Sequence, residues 1–210
     1  MGFWSDKPST INVSHSNLEV NEGQSISLVG GDICVENGTT LTAPSGQINL
    51  FSIGSSGKII LDNNSLKIDD TPKLGDIRIS SSNLDVSGLK EQETSSGGVN
   101  IHCGNLEFFE STLLARSYGD SGNFSDVRIF VDSIFTVSEG YIKSINYGKG
   151  KGTDIDIIAK ELKLENGSIF FTRTAYEGDS TNNSDSGKAG DISITGNLIS
   201  ISGVKQVNFF

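Results

Sequence analysis

The sequence predicts an all-β protein folded as a right-handed parallel β-helix, a solenoid of short stacked coils. Turn formers (Gly, Ser, Asn and Asp) are abundant, and the apolar residues are mostly the strand formers Ile, Leu, Val and Phe. One short phrase recurs along the chain at roughly the 20–45 residue spacing of repeat architectures. Each copy also has the period-two alternation of a half-buried strand.

The phrase consists of a small or turn-forming residue, usually Asp, followed by two apolar residues separated by one polar residue. Because alternate side chains of a strand point to opposite faces, the apolar pair should face inward. The copies are Gly31-Asp32-Ile33-Cys34-Val35, Gly75-Asp76-Ile77-Arg78-Ile79, Gly97-Gly98-Val99-Asn100-Ile101, Ser125-Asp126-Val127-Arg128-Ile129, Thr153-Asp154-Ile155-Asp156-Ile157 and Gly190-Asp191-Ile192-Ser193-Ile194.

Two further strands are predicted in most coils. The second strand is expected to carry the inward pairs Leu84 and Val86, Leu106 and Phe108, Phe135 and Val137, Leu162 and Leu164, and Ile199 and Ile201. The third strand is expected to carry Leu113 and Ala115, Ile142 and Ser144, and Ile169 and Phe171. Stacking about 4.8 Å apart, some seven or eight coils would form a rod of roughly 35 Å.

The domain organisation follows from the repeat. Residues 1–30 are predicted to be a leading segment that joins the first coil, and residues 31–210 to be β-helix repeats of a single domain within a longer polypeptide. A sandwich or barrel is the main alternative, but its strands need not resemble one another. We expect the inward residues of the repeated phrase to form one column: Ile77, Ile79, Val127, Ile129, Ile155, Ile157, Ile192 and Ile194.

The charge pattern argues against several partners. The net charge of -10 is spread along the chain, and nucleic acid or an anionic membrane would require a basic patch that the sequence does not reveal. Lys149 and Lys151 alternate with glycines, which indicates a flexible turn. No segment approaches the ~20 apolar residues of a membrane span, so membrane insertion is not expected.

No metal, cofactor or disulfide framework is predicted. Cys34 and Cys103 are interpreted as ordinary small apolar residues. A turn role accounts for the recurring aspartates without a metal. These aspartates are Asp32, Asp76, Asp126, Asp154 and Asp191. The loop Asp179–Asp185 has alternating oxygen ligands but lacks the turn glycine and closing glutamate of a calcium loop.

Catalysis is not expected either, and no catalytic residue is assigned. Asp69 and Asp70 precede the turn at Thr71-Pro72, and their side chains would diverge on an extended chain. His15 lies in a polar segment, and His102 has no acidic partner in its own motif. The sequence therefore favours a protein that is not an enzyme.

Several segments resemble a known family. They are Gly2-Phe3-Trp4-Ser5-Asp6-Lys7-Pro8, Ile11-Asn12-Val13, Leu28-Val29-Gly30-Gly31-Asp32-Ile33, Leu41-Thr42-Ala43-Pro44-Ser45-Gly46-Gln47-Ile48-Asn49-Leu50, Glu165-Asn166-Gly167-Ser168-Ile169 and Gly187-Lys188-Ala189-Gly190-Asp191-Ile192-Ser193-Ile194. In this order they resemble the region that follows the secretion domain in large exoproteins of the filamentous-haemagglutinin type. The resemblance covers nearly the whole chain.

The resemblance implies a two-partner secretion passenger that acts in adhesion, secreted or held at the bacterial cell surface. A dedicated outer-membrane β-barrel transporter would carry it, through a secretion domain expected before Met1 and not assigned to any residue here. The outward loops of a β-helix stalk would bind a surface glycan or a protein receptor. A β-helix carbohydrate-active enzyme, either a polysaccharide lyase or a hydrolase, and a passive stalk without binding activity remain as alternatives.

The end of the sequence suggests self-association. Residues 199–210 remain rich in strand-forming and aromatic residues, with no amphipathic helix to cover the last coil. We therefore expect an apolar edge around Val207, Phe209 and Phe210, and end-to-end association of the isolated chain.

Overall fold

The protein is a parallel β-helix, as the sequence predicts. The structure, a computed structural model, describes residues 2–3, 8–62, 65–69, 73–120, 125–175 and 187–203, with backbone alone for 2–3, 57–62 and 65–69. In chain order the strands are β1 (Gly2–Phe3), β2 (Ile11–Ser14), β3 (Asn17–Glu19), β4 (Ser25–Gly30), β5 (Ile33–Glu36), β6 (Thr40–Thr42), β7 (Gln47–Ser52), β8 (Gly57–Asp62), β9 (Ser65–Asp69), β10 (Ile77–Ser80), β11 (Asn83–Asp85), β12 (Gly98–Cys103), β13 (Leu106–Phe109), β14 (Thr112–Ser117), β15 (Val127–Ser138), β16 (Tyr141–Asn146), β17 (Ile155–Glu165), β18 (Ile169–Thr174), β19 (Ile192–Thr195) and β20 (Leu198–Ile201).

Three parallel sheets run along the rod, and each full coil contributes one strand to each sheet. Sheet 1 stacks β4, β7, β12, the first half of β15, the first half of β17 and β19. Sheet 2 stacks β2, β5, β10, β13, the second half of β15, the second half of β17 and β20. Sheet 3 stacks β3, β6, β11, β14, β16 and β18.

The core is a set of columns in which equivalent inward residues contact each other from coil to coil. On sheet 1 one column is Ile26, Ile48, Val99, Val127, Ile155 and Ile192. On sheet 2 the matching column is Ile11, Ile33, Ile77, Leu106, Phe135, Leu162 and Ile199. The middle members of both columns are almost fully buried, so their transfer from water is the main stabilising contribution.

The predicted single column of repeated phrases is wrong, because the phrase occurs on two different sheets. Ile77 and Ile79 lie on sheet 2, where they pair with Ile33 and Val35. The copies that begin at Val127, Ile155 and Ile192 lie on sheet 1. The first and second strands of a coil both bury an alternating apolar pair. The same local pattern therefore describes either strand.

Two strand assignments within the coils also need correction. Leu84 lies on sheet 3, between Leu41 and Leu113, and not on the second strand of its coil. In the last full coil, Phe170 and Thr172 face inward, and Ile169 and Phe171 face outward.

The outward position of Ile169 has a local cause. The buried Ser168 hydroxyl donates hydrogen bonds to the Glu165 and Val137 carbonyls, at 2.6 and 2.9 Å. These bonds fix the side chain of Ser168 on the inner face, so the next residue must point out. An apolar residue therefore lies on the outer surface where the sequence pattern predicted an inner one.

An antiparallel sheet interrupts the repeat between β7 and β10. Strands β8 and β9 pair in an antiparallel register, and β1 pairs with β8. The repeat pattern of the sequence does not predict this insertion. The predicted leading segment, residues 1–30, already contains strands of the β-helix, because β2, β3 and β4 pair with β5, β6 and β7.

The corner between sheets 2 and 3 has one conformation at every level. A residue there adopts a left-handed backbone, with φ between 46° and 64°, which turns the chain sharply with a single residue. These residues are His15, Asn37, Ser81, Glu110, Glu139, Asn166 and Gly203. The amides of five of them, His15, Ser81, Glu110, Glu139 and Asn166, donate to a carbonyl of the next coil, as in the 2.9 Å bond from Ser81 to Phe109.

The helical content is small, and the last described strand is partly exposed. Within the described ranges the only helix is a 3₁₀ turn, Lys90–Gln92, and none of their helices is long and apolar enough to cross a membrane. On β20, Ile199 and Ile201 are each 47 % exposed. Val207, Phe209 and Phe210, where the sequence predicts an exposed edge, lie outside the described residues.

Replacement of Ile157 by Asp should lower the free energy of unfolding by roughly 4 kcal/mol, because it places an unpaired charge in the core. Ile157 is 1 % exposed and pairs with Ile129 and Ile194. The matched control is Ile158→Asp on the same strand, where the side chain is 49 % exposed and a change within about 1 kcal/mol is expected. Urea unfolding measures both; equal losses would contradict the inward column.

Candidate functional site

A row of three rings and one isoleucine side chain lies on the outer face of sheet 1. The register brings Phe51, His102, Phe130 and Ile158 into line on four successive strands, β7, β12, β15 and β17. The His102 ring contacts both phenyl rings, with centroid distances of 5.8 Å to Phe51 and 4.3 Å to Phe130. Phe130 and Ile158 are 39 % and 49 % exposed, unusually open for such large apolar groups. We call these four residues the ring ladder.

A cleft of about 990 Å³ opens beside the ring ladder at the corner between sheets 1 and 2. His102 and Phe130 of the ladder form part of its lining. The corner itself contributes the polar side chains Asp32, Asp76, Asn105, Asp132 and Ser133. Pro8, Thr10, Lys73 and Leu74 provide further lining from segments next to the inserted sheet.

The corner residues form a hydrogen-bonded ladder of their own. The Asp32 carboxylate accepts a 2.9 Å bond from the Asp76 amide, and the Asp76 carboxylate accepts 2.9 Å bonds from the amide and side chain of Asn105. The Asn105 side-chain oxygen then accepts from Ile134, at 3.2 Å. The turn role predicted for the aspartates is a bond to their own neighbouring amides, but the Asp32 and Asp76 carboxylates accept from the next coil instead, which fixes the cleft wall at each level.

The environment of His102 in this cleft favours the neutral form of its imidazole. Its partial burial lowers the pKa of the imidazole, and the nearby Asp132 carboxylate offsets this lowering in part. The sequence motif of His102 contains no acidic partner, because Asp132 lies on the next coil. Asp132 lies near His102 because His102 pairs with Phe130, and Asp132 follows Phe130 by two residues.

The other candidate residues are not brought together in this cleft. His15 lies at the sheet 2 and sheet 3 corner, where its ring bonds to the Ser14 hydroxyl at 3.0 Å. Asp69 ends β9, whose backbone alone is described. Asp70 and the loop of residues 179–185 lie outside the described residues.

The glycine-rich segment around Lys151 makes specific ionic contacts and is not only a flexible turn. The Lys151 ammonium group contacts Asp154 at 2.7 Å and Asp191 at 3.0 Å, which lie on successive coils. These hydrogen bonds raise the pKa of Lys151. The Asp154 carboxylate also accepts a 2.7 Å bond from the Asp191 amide. Lys151 therefore bridges two of the recurring aspartates and offsets one of their two negative charges.

The two cysteines are free thiols in different environments. Cys103 is fully buried in the core, as the sequence predicts, and burial raises the pKa of its thiol. Cys34, also interpreted as an ordinary small apolar residue, is half-buried and faces outward on β5, beside Arg78 of β10. The register explains the difference, since Ile33 and Val35 on either side of Cys34 already face inward.

Metal binding remains a prediction. In the part of the chain that the structure describes, no group of three or more His, Cys, Asp or Glu side chains could hold a metal ion. The expectation that folding needs no metal predicts equal thermal unfolding temperatures in a chelator and in excess calcium. A rise of many degrees with calcium would contradict it.

The lowered pKa of His102 predicts an acid-dependent loss of stability. The folded state resists protonation that the unfolded state accepts near pH 6.5, so the free energy of unfolding should fall as the pH falls through this value. His102→Phe should reduce the loss between pH 8 and pH 5.5, measured by urea unfolding. His15→Asn is the control; if it had the same effect, the loss would not belong to the cleft.

Comparison of the chain with protein-family models, with curated proteins and with solved structures found no match.

Proposed function

We propose that the chain is a structural passenger of the filamentous-haemagglutinin type, secreted or held at the bacterial cell surface, whose cleft binds a surface glycan without cleaving it. The β-helix serves as a stiff stalk. A dedicated outer-membrane transporter exports it through a secretion domain outside this sequence. The observation that carries the binding proposal is the ring ladder, placed beside a line of hydrogen-bonding side chains in one cleft.

The chemistry of the cleft suits a sugar polymer. Aromatic rings offer flat apolar surfaces to the C–H faces of sugars, while carboxylate and amide groups bond to hydroxyls. In the cleft, two successive coils each provide a ring, His102 and Phe130, and a polar corner residue, Asn105 and Asp132, about 4.8 Å apart along the rod axis. An extended chain lying along the axis would meet rings on one side and Asp76, Asn105 and Asp132 on the other.

The charge of the cleft favours a neutral glycan. Asp32, Asp76 and Asp132 line it, and like charges on the ligand would be repelled. Lys160 contacts Asp132 at 3.2 Å, but both side chains are more than half exposed, so this pair is screened by water. A neutral ligand that carries hydroxyl groups is not repelled by these carboxylates.

Hydrolysis or elimination is the rival function, since His102, Asp132 and Lys73 lie around the same cleft. Two observations favour binding alone. Within the described chain, His102 makes ring contacts and no side-chain hydrogen bond that would orient it as a base. The carboxylates of Asp32 and Asp76 already accept backbone amide bonds, so they serve the corner.

The binding proposal predicts that Phe130→Ala weakens glycan binding roughly tenfold, because the substitution removes an exposed stacking surface. Native electrophoresis through gels containing xylan, β-glucan or starch measures the retardation. The matched control is Phe109→Ala on sheet 2, since Phe109 is 38 % exposed and Phe130 39 %. Retardation by none of these polymers, or equal loss in both variants, would contradict the proposal. Release of reducing ends or of unsaturated sugar products would instead favour an enzyme.

A further inference from the structure

Three basic side chains meet on the outer face of sheet 3. Arg116 of β14, Lys143 of β16 and Arg173 of β18 belong to successive coils. Arg116 and Arg173 have the same register, so their backbones are two coils, or roughly 10 Å, apart. Lys143 lies on the coil between them, two residues earlier along the strand. The sequence does not reveal this grouping, because the three residues are far apart along the chain.

Aromatic rings alternate with these cations. The Lys143 ammonium group lies 4.2 Å from the centre of the Tyr141 ring and 6.0 Å from that of Phe171. The Arg173 guanidinium lies 5.7 Å from the centre of Phe171. We call these five residues, Arg116, Tyr141, Lys143, Phe171 and Arg173, the sheet 3 patch.

The cations of the patch have no carboxylate partner among the residues that the structure describes. None of the three forms an ion pair within the described residues, although the protein has a net charge of -10. Cations on the other sheets are paired: Arg78 with Glu107, Arg128 with Asp126 and Lys163 with Glu161. Partial burial lowers the pKa of Lys143, and the neighbouring Arg116 and Arg173 lower it further. A bound anion would relieve this repulsion.

We propose that the sheet 3 patch binds an acidic polysaccharide of the polyuronate class, which carries a carboxylate on each sugar ring. The guanidinium groups form paired hydrogen bonds with carboxylates, and the exposed parts of Tyr141 and Phe171 stack on the sugars between them. The alternation of cation and ring matches a polymer whose charges are separated by apolar ring faces. This site lies on a different sheet from the cleft and does not depend on glycan binding there.

A charge-matched pair of triple variants tests the proposal. Arg116→Gln, Lys143→Gln and Arg173→Gln together remove the patch, and Arg78→Gln, Arg128→Gln and Lys163→Gln remove the same number of charges from paired sites. Calorimetric titration with polygalacturonate should show roughly tenfold or greater loss of affinity for the first triple and little change for the second. Equal losses would overturn the proposal. Circular dichroism and thermal unfolding establish that both triples are folded.

Further measurements separate polyuronate from other anions. Phe171→Leu keeps every charge and should still weaken binding of polygalacturonate; unchanged affinity would overturn the polysaccharide assignment. Neutral dextran should not bind at the patch. Dextran sulfate that bound as tightly as polygalacturonate, or phosphatidylglycerol vesicles that bound in its place, would overturn the polyuronate class. Retardation by neutral glycans at the cleft should remain in the patch triple, so failure of one site is distinguishable from failure of the other.

Discussion

Backbone hydrogen bonding between successive coils is the constraint on which the rest of the molecule depends. A strand in a parallel sheet must satisfy its amides and carbonyls with the strands above and below, so equivalent residues of adjacent coils are held about 4.8 Å apart. Ile155, for example, is fixed between Val127 and Ile192. The inward columns, the corner ladders and the outer rows of side chains all repeat this spacing.

The same constraint turns residues that are distant in sequence into neighbours on the surface. Phe51, His102 and Phe130 are separated by one coil each in space and by dozens of residues along the chain. The sheet 3 patch arises in the same way. Chemistry in this fold therefore lies in rows parallel to the axis, and a short sequence motif is a poor guide to it.

The sequence was sufficient for the fold class because inward columns require the same apolar alternation in every coil. It was insufficient for the assignment of strands to sheets, since Ile77 and Val127 occupy different sheets with the same local pattern. The insertion of β8 and β9 also lengthens one interval between copies of the repeated phrase, so the repeat spacing is irregular. The candidate sites could not be predicted from the sequence. Placing His102 near Asp132, or Lys143 near Arg173, requires the register between coils, which no local sequence pattern determines.

The three corners differ in how much variation they permit, and this explains the place of the cleft. The corner between sheets 2 and 3 must adopt the left-handed conformation at all seven described levels, which leaves little room for insertion. The connections from sheet 3 to sheet 1 vary in length but lie away from the ring ladder. At the corner between sheets 1 and 2, a regular ladder of Asp32, Asp76 and Asn105 adjoins the inserted strands. The stacked coils provide the rows of side chains at this corner. The insertion of β8 and β9, followed by Lys73 and Leu74, adds a second wall, so these rows lie in a cleft.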